Sequence, residues 1–131
     1  MERELEIFAA LSDRTRLRIY KILNAVKKEV AVCEIRDSLE ESQYNVSKHL
    51  QILKNVSLIK ESKSGRWVFY SVNREAGINL SSVVDGIKDT CFDEDLIRMK
   101  KRLGLRKDGE VVSCSIAREL MDAKSGKEKN R

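Results

Sequence analysis

"SQYNVSKHLQILKNVSLIKESKSGRWVFYSV", residues 42–72, changes its period halfway along. Val46, Leu50 and Leu53 recur at i, i+4 and i+7, which makes the first half a helix with one apolar edge, and Ser42 is a suitable N-cap for it. From residue 58 onward the composition turns to residues that suit strands, over 58–63 and 66–72, and Ser64-Gly65 between them has hairpin chemistry. With Val46, Leu50 and Leu53 turned inward, Tyr44, Ser47, Lys48 and Gln51 gather on the opposite face. Hydroxyls, an amide and an ammonium are the groups that match base edges and phosphates when a helix lies in a major groove. An ordinary solvated helix face has the same composition, so the flanking sequence has to decide between them.

Upstream, Leu5, Phe8 and Leu11 form one helical stripe, and Ile19, Ile22, Leu23 and Val26 form a second after a cap signal at Ser12-Asp13. Val32, Ile35 and Leu39 mark a short third helix, with Cys33 beside its stripe, and Glu40-Glu41-Ser42 breaks it. A short helix, a tight break and a second helix are the parts of a helix-turn-helix, whose second member enters the groove. The hairpin adds a basic flank. Between residues 42 and 72, Lys48, Lys54, Lys60, Lys63 and Arg66 face Glu61 alone, so this segment holds +4 of the chain's net +5. Charge concentrated on the motif is what a phosphate-binding surface requires.

Downstream, Ile78, Leu80, Val83, Val84 and Ile87 predict a further helix, and Leu96, Met99 and Leu103 another, with Thr90 and Asp93 as a cap between them. Residues 104–109 read as a link, 115–123 as a last short helix, and 124–131 as a charged, frayed tail. The 131 residues are expected to form one compact domain, and no apolar run approaches the roughly 20 residues of a membrane span. The acidic, polar start is unlike a secretory signal, and three cysteines without a pairing pattern argue against a disulfide framework; both point to the cytoplasm. An enzyme is disfavoured: the only histidine, His49, lies on the proposed reading helix, and there is no glycine-rich phosphate loop or metal-ligand cluster.

"LSDRTRLRIYKIL", "SQYNVSKHLQIL" and "GRWVFYSV", in this order and spacing over roughly residues 5–103, resemble the ArsR/SmtB family of winged-helix repressors. The resemblance implies a mainly α fold with a small β-hairpin, a homodimeric winged helix-turn-helix over residues 1–103, followed by a C-terminal extension, 104–131. It implies a double-stranded operator partner, two recognition helices on two half-sites, wings on the flanking backbone, and an effector that releases the DNA. Ser42, Gln43, Ser47 and Lys48 match the family's DNA-contacting region, and Lys63 and Arg66 its wing; with Tyr44 and Gln51 from the helix wheel they form the candidate DNA-binding set. His49 matches a frequent residue of the recognition helix and is read as packing, near the edge of the core stripe.

The effector is read from the thiols. Residues 75–103 contain no histidine, which disfavours the family's dimer-helix zinc site, and the arsenic branch's Cys-Val-Cys-Asp-Leu-Cys run appears here as "VAVCEIR", with only the middle thiol kept, as Cys33. Selectivity for soft ions needs several sulfur ligands together. Cys33, Cys91 and Cys114 are therefore the candidate metal ligands, within a subunit or across the dimer, for arsenic(III) or another soft thiophilic ion. No resident cofactor is expected. Cys91 has an acidic neighbourhood in Asp85, Asp89, Asp93, Glu94 and Asp95, which raises a thiol pKa and favours ligation over oxidation. Packing as small hydrophobes, and a redox or sulfur-stress switch with no metal, are the competing roles for these thiols.

Overall fold

The computed structural model of the chain describes residues 1–76 and 79–129. The first two helices are α1 (Glu2–Leu11) and α2 (Arg14–Val26), separated by Asp13, whose carboxylate accepts the Arg16 N–H at 3.0 Å and starts α2. A two-residue strand, β1 (Val30–Ala31), leads directly into α3 (Val32–Leu39). Glu40 closes α3 in the left-handed region (φ 56°), and the Ser42 hydroxyl accepts the Asn45 N–H at 3.1 Å to open α4 (Gln43–Asn55). Capping chemistry thus sets the turn between α3 and α4, as the polar break predicts. Ile19 and Leu23 of α2, Ile35 and Leu39 of α3, and Leu50 and Leu53 of α4 are buried in one core cluster.

Strands β2 (Ile59–Ser64) and β3 (Trp67–Val72) pair antiparallel with Ser64 opposite Trp67, so the two-residue turn is Gly65-Arg66, one residue later than the sequence suggested. Gly65 carries the positive φ (60°) of that turn, as in a turn with glycine first, and its absent Cβ is what permits it. β1 adds a third strand on the other side of β3, through Val30 opposite Tyr70 and Ala31 opposite Phe69. Two residues are too few for any period to show, so the sequence reading holds a hairpin where the fold has a small sheet.

After the sheet come α5 (Ser81–Asp85), α6 (Thr90–Leu103) and α7 (Cys114–Lys129). Ile78, placed by sequence on the α5 stripe, lies outside the described residues, and α5 is only five residues long, with no side-chain cap. Asp89, not Thr90 or Asp93, caps α6 by accepting the Cys91 N–H at 2.9 Å; its extended backbone ends the preceding stretch and starts a new helix. α7 begins one residue earlier and ends later than the 115–123 helix expected from periodicity. The segment before it folds back: Val111 packs with Ala31 and Cys33, while Leu105, Val112 and Ala117 form a second small cluster.

In α1 the core takes Ile7 and Ala10, leaving Leu5 and Phe8 of the predicted stripe 54% and 52% exposed. In the α5 region Val83 is likewise outside (55% exposed), whereas Leu80 and Val84 are buried in the chain's own core. Among the described residues no helix is long and apolar enough to cross a membrane.

Candidate nucleic-acid interface and thiol site

α4 is held from behind and free in front. Val46, Leu50 and Leu53 are fully buried, while Gln43, Tyr44, Ser47, Lys48 and Gln51 are exposed, Tyr44 by 81%. Ser42 is exposed too, but its hydroxyl is occupied in capping the helix. Gln51 donates to the Asn55 side-chain amide oxygen at 3.1 Å, a bond along the surface that holds its amide on the outward face. His49 is buried: its Nδ1 lies 3.0 Å from Arg16 Nη1 and 3.7 Å from Asp13, tying α4 to the start of α2. Burial first, and Arg16 and Lys48 among its neighbours, hold its pKa below the usual range, which matches a neutral ring accepting from Arg16.

The wing carries its charge at the tip. Lys63 and Arg66 are exposed, and the Arg66 guanidinium lies 4.8 Å from the centre of the Trp67 ring, a cation-π contact that steadies a long side chain. Glu61, the one acid of the segment, accepts from Tyr70 at 3.0 Å and pairs with Lys54 at 3.3 Å. The tyrosine hydrogen bond holds the Glu61 carboxyl below its usual range, and burial, then Glu61 itself, pushes the Tyr70 phenol up to about 12. The acid is thereby compensated within the protein, and the outward wing charge stays positive.

The cysteines separate into a pair and a single. Cys33, buried in the first turn of α3, packs in one small apolar cluster with Cys114, the first residue of α7. Burial first, and then the Cys114 thiol, push Cys33 up to about 12. Arg102 Nη2 donates to the Cys33 sulfur at 3.5 Å. Cys114 also lines a cleft of about 590 Å³ between α7 and the helix-turn-helix, with Arg118 and Met121 on one wall and Glu41, Ser42 and Gln43 on the other. Cys91 is at the opposite end of α6. It lies eleven positions before Arg102, about 16 Å of helix, so it does not meet Cys33 and Cys114 within one chain. Burial and then the Asp89 carboxylate raise its pKa. Among the described residues, no group of three or more His, Cys, Asp and Glu side chains is arranged to hold a metal ion.

Residues 11–62, the stretch from the end of α1 into the wing, match a family described as a helix-turn-helix domain. The chain is 39% identical over 84 residues to a helix-turn-helix transcriptional regulator of Methanocaldococcus jannaschii, covering 64% of this chain and 93% of that one. It is 31% identical over 81 residues to the arsenical resistance operon repressor of Escherichia coli, covering 62% and 68% respectively. The chain belongs to the ArsR family of winged helix-turn-helix regulators. Other ArsR-type relatives, named for cadmium and arsenic resistance, are spanned over 57% to 64% of their length. Among solved structures, reduced HlyU of Vibrio cholerae aligns with a TM-score of 0.55 at 26% identity, over 64% of this chain and 83% of that one. The family is one of DNA-binding transcriptional regulators rather than enzymes.

In this ArsR-family chain three arginines that form no sequence motif hold α3 in place. Arg98, Arg102 and Arg106, four residues apart, each reach α3: Arg98 donates to the Ser38 carbonyl at 2.6 Å, Arg102 to Asp37 at 2.8 Å, and Arg106 to both Glu34 oxygens at 2.8 and 2.6 Å. Glu34 is fully buried and also accepts the Ala31 N–H, so the ladder fixes the start of α3 where Cys33 sits. The four-residue spacing was the available signal; its partners were not visible without the packing of α3 on α6. The burial of Cys33 has a direct consequence for labelling. At pH 8, iodoacetamide should modify Cys91 and Cys114 while Cys33 stays unlabelled in the folded protein, read by peptide mass spectrometry; Cys33 labelled as fast as Cys91 would contradict its protonated, enclosed state.

Proposed function

We propose that this protein is a homodimeric cytoplasmic repressor that is released from operator DNA when a thiophilic effector, foremost arsenite, bridges Cys33 and Cys114. The observation that carries the effector reading is the placement of these two thiols against each other at the root of α3. Arsenous acid reacts with two thiols to form two As–S bonds and release two waters, leaving one hydroxyl on arsenic; it needs no oxidant and accepts protonated thiols. The cleft beside Cys114 gives entry. Relatives named as arsenical resistance repressors support the same effector class. Cys91 is not a ligand of this intrachain site.

In the DNA reading, Gln43, Tyr44, Ser47, Lys48 and Gln51 face the major groove, Ser42 sets the start of the helix, and Lys63 and Arg66 contact phosphates. Bridging the thiols changes the link between α7 and the start of α3, and the effector favours whichever dimer geometry accommodates it; release follows if that geometry mismatches the half-site spacing. A second reading uses the same adjacency: a two-electron oxidant joins Cys33 and Cys114 as a disulfide. It is supported by the solved relative being described in a reduced state. A Cys33 thiol held near 12 is a slow nucleophile, which places arsenite first.

One titration tests these assignments: fluorescence anisotropy of labelled operator with wild type and variants. Gln43→Ala or Ser47→Ala should cost roughly 1–3 kcal/mol on operator and little on random DNA, while Lys63→Ala or Arg66→Ala should weaken both and flatten the salt slope. Cys33→Ser and Cys114→Ser should bind operator normally and resist arsenite, with Cys91→Ser released like wild type. Full release of the Cys33 and Cys114 variants by arsenite sinks the site, and release by peroxide alone, reversed by reductant, transfers the pair to the disulfide reading.

A further inference from the structure

Two sulfurs leave one position on trivalent arsenic to a non-sulfur ligand, and the arginine that touches one of these sulfurs holds an unused donor. Arg102 is completely buried. Its Nε donates to Asp37, and its Nη2 to the Val112 carbonyl and the Cys33 sulfur. Its Nη1 has no partner, the only such buried side-chain atom among the described residues. Burying a guanidinium N–H without an acceptor is unfavourable, and such a group marks a place where an acceptor belongs. Both Nη atoms belong to one rigid planar guanidinium, so the unpartnered donor sits on the same group that touches the Cys33 sulfur through Nη2. We propose that Arg102 completes the effector site, its Nη1–H donating to the hydroxyl oxygen of an arsenic atom bridged across Cys33 and Cys114.

This inference rests on the arsenite reading above and adds a specificity to it. The site selects a trivalent arsenical that keeps an As–OH group after two thiols have displaced water. Methylarsenous acid is the matched control: it forms the same two As–S bonds and releases two waters, but presents a methyl group of similar size where arsenite presents a hydroxyl. A methyl accepts no hydrogen bond. The ladder contact to Asp37 gives Arg102 a structural role as well, which would affect both arsenicals alike.

The test is a direct binding titration of both compounds to the reduced, full-length dimer, with native mass spectrometry to count bound arsenic. Arg102→Lys should weaken arsenite about tenfold while leaving methylarsenous acid within about twofold of wild type. Equal losses for both compounds, or no loss for arsenite, overturn the proposal. A measurement on the unmodified protein guards against a variant that folds poorly. The ratio of arsenite to methylarsenous acid affinity should exceed that of free dithiothreitol about tenfold, and a ratio equal to dithiothreitol's overturns the proposal. If wild type binds arsenic with no dependence on Cys33 and Cys114, the effector reading itself falls and this one with it; if that dependence holds and the ratios fail, only the Arg102 assignment falls.

Discussion

Asp95→Ala should destabilise the folded chain by about 3–5 kcal/mol in urea unfolding. The Asp95 carboxylate is completely buried and accepts two hydrogen bonds from Arg18, both at 2.8 Å, and one from Arg98 at 2.8 Å. These bonds, first among its influences, hold the Arg18 guanidinium above its ordinary pKa. The same two arginines donate to the last carbonyls of α3, Arg18 to Leu39 at 2.9 Å and Arg98 to Ser38 at 2.6 Å. Removing the acid leaves two cations facing each other and loosens the end of the first helix of the reading motif. Arg18 and Arg98 are partly exposed and regain some water, which places the loss toward the lower end of that range. A change under about 1 kcal/mol would show that the carboxylate is dispensable.

Phe8→Asp should leave stability within about 0.5 kcal/mol of wild type, yield monomers in sedimentation, and lower operator affinity more than about 100-fold. Leu5 and Phe8 are each more than half exposed on one face of α1, and Val83 and Ile97 are exposed to a similar degree elsewhere on the chain. Half-exposed apolar side chains contribute little to a monomer and much to an apolar contact between copies. On the proposed homodimer, two reading helices bind two half-sites as a unit, and a monomer retains one. Leu80 and Val84, whose sequence spacing recommends them for the same experiment, are 2% and 1% exposed, so an acid there would damage the fold and report nothing about assembly. A Phe8→Asp protein that remains dimeric would remove α1 from the interface.

The reading helix and wing were legible because each is a local pattern. The inward Val46, Leu50 and Leu53, the Ser42 cap and the glycine of the hairpin all depend on near neighbours in the chain. α1 was legible as a helix but not in its orientation, since Leu5, Phe8 and Leu11 make as good a stripe as Ile7 with Ala10, and only the packing on α2 decides which one the core takes. The thiols were legible as three candidate ligands, but not that two of them meet within one chain, because 80 positions of sequence lie between Cys33 and Cys114 and a folded-back segment closes them. Cys91 drew attention through its acidic neighbours, and these are partly consumed elsewhere: Asp89 caps α6 and Asp95 holds two arginines. Arg102 had only its four-residue spacing from Arg98 and Arg106 as a signal; its meaning comes from what it lacks once the chain has folded.

The arginine ladder divides the molecule's charges into two populations with different exposure to the surrounding ions. Glu34 and Arg102, which tie α3 to Arg106 and to α6, and Asp95, which joins α2 to α6 through Arg18, are entirely shielded from solvent, while Lys48, Lys63 and Arg66 stand in water. At physiological ionic strength the screening length is about 8 Å, and mobile ions act on the second population and hardly on the first. If Lys48, Lys63 and Arg66 hold phosphates as proposed, ionic strength works on this protein as a selective solvent: it strips the chain from a polyanion while leaving the same chain folded, because the attractions that build the body and those that hold its cargo live in different dielectric worlds.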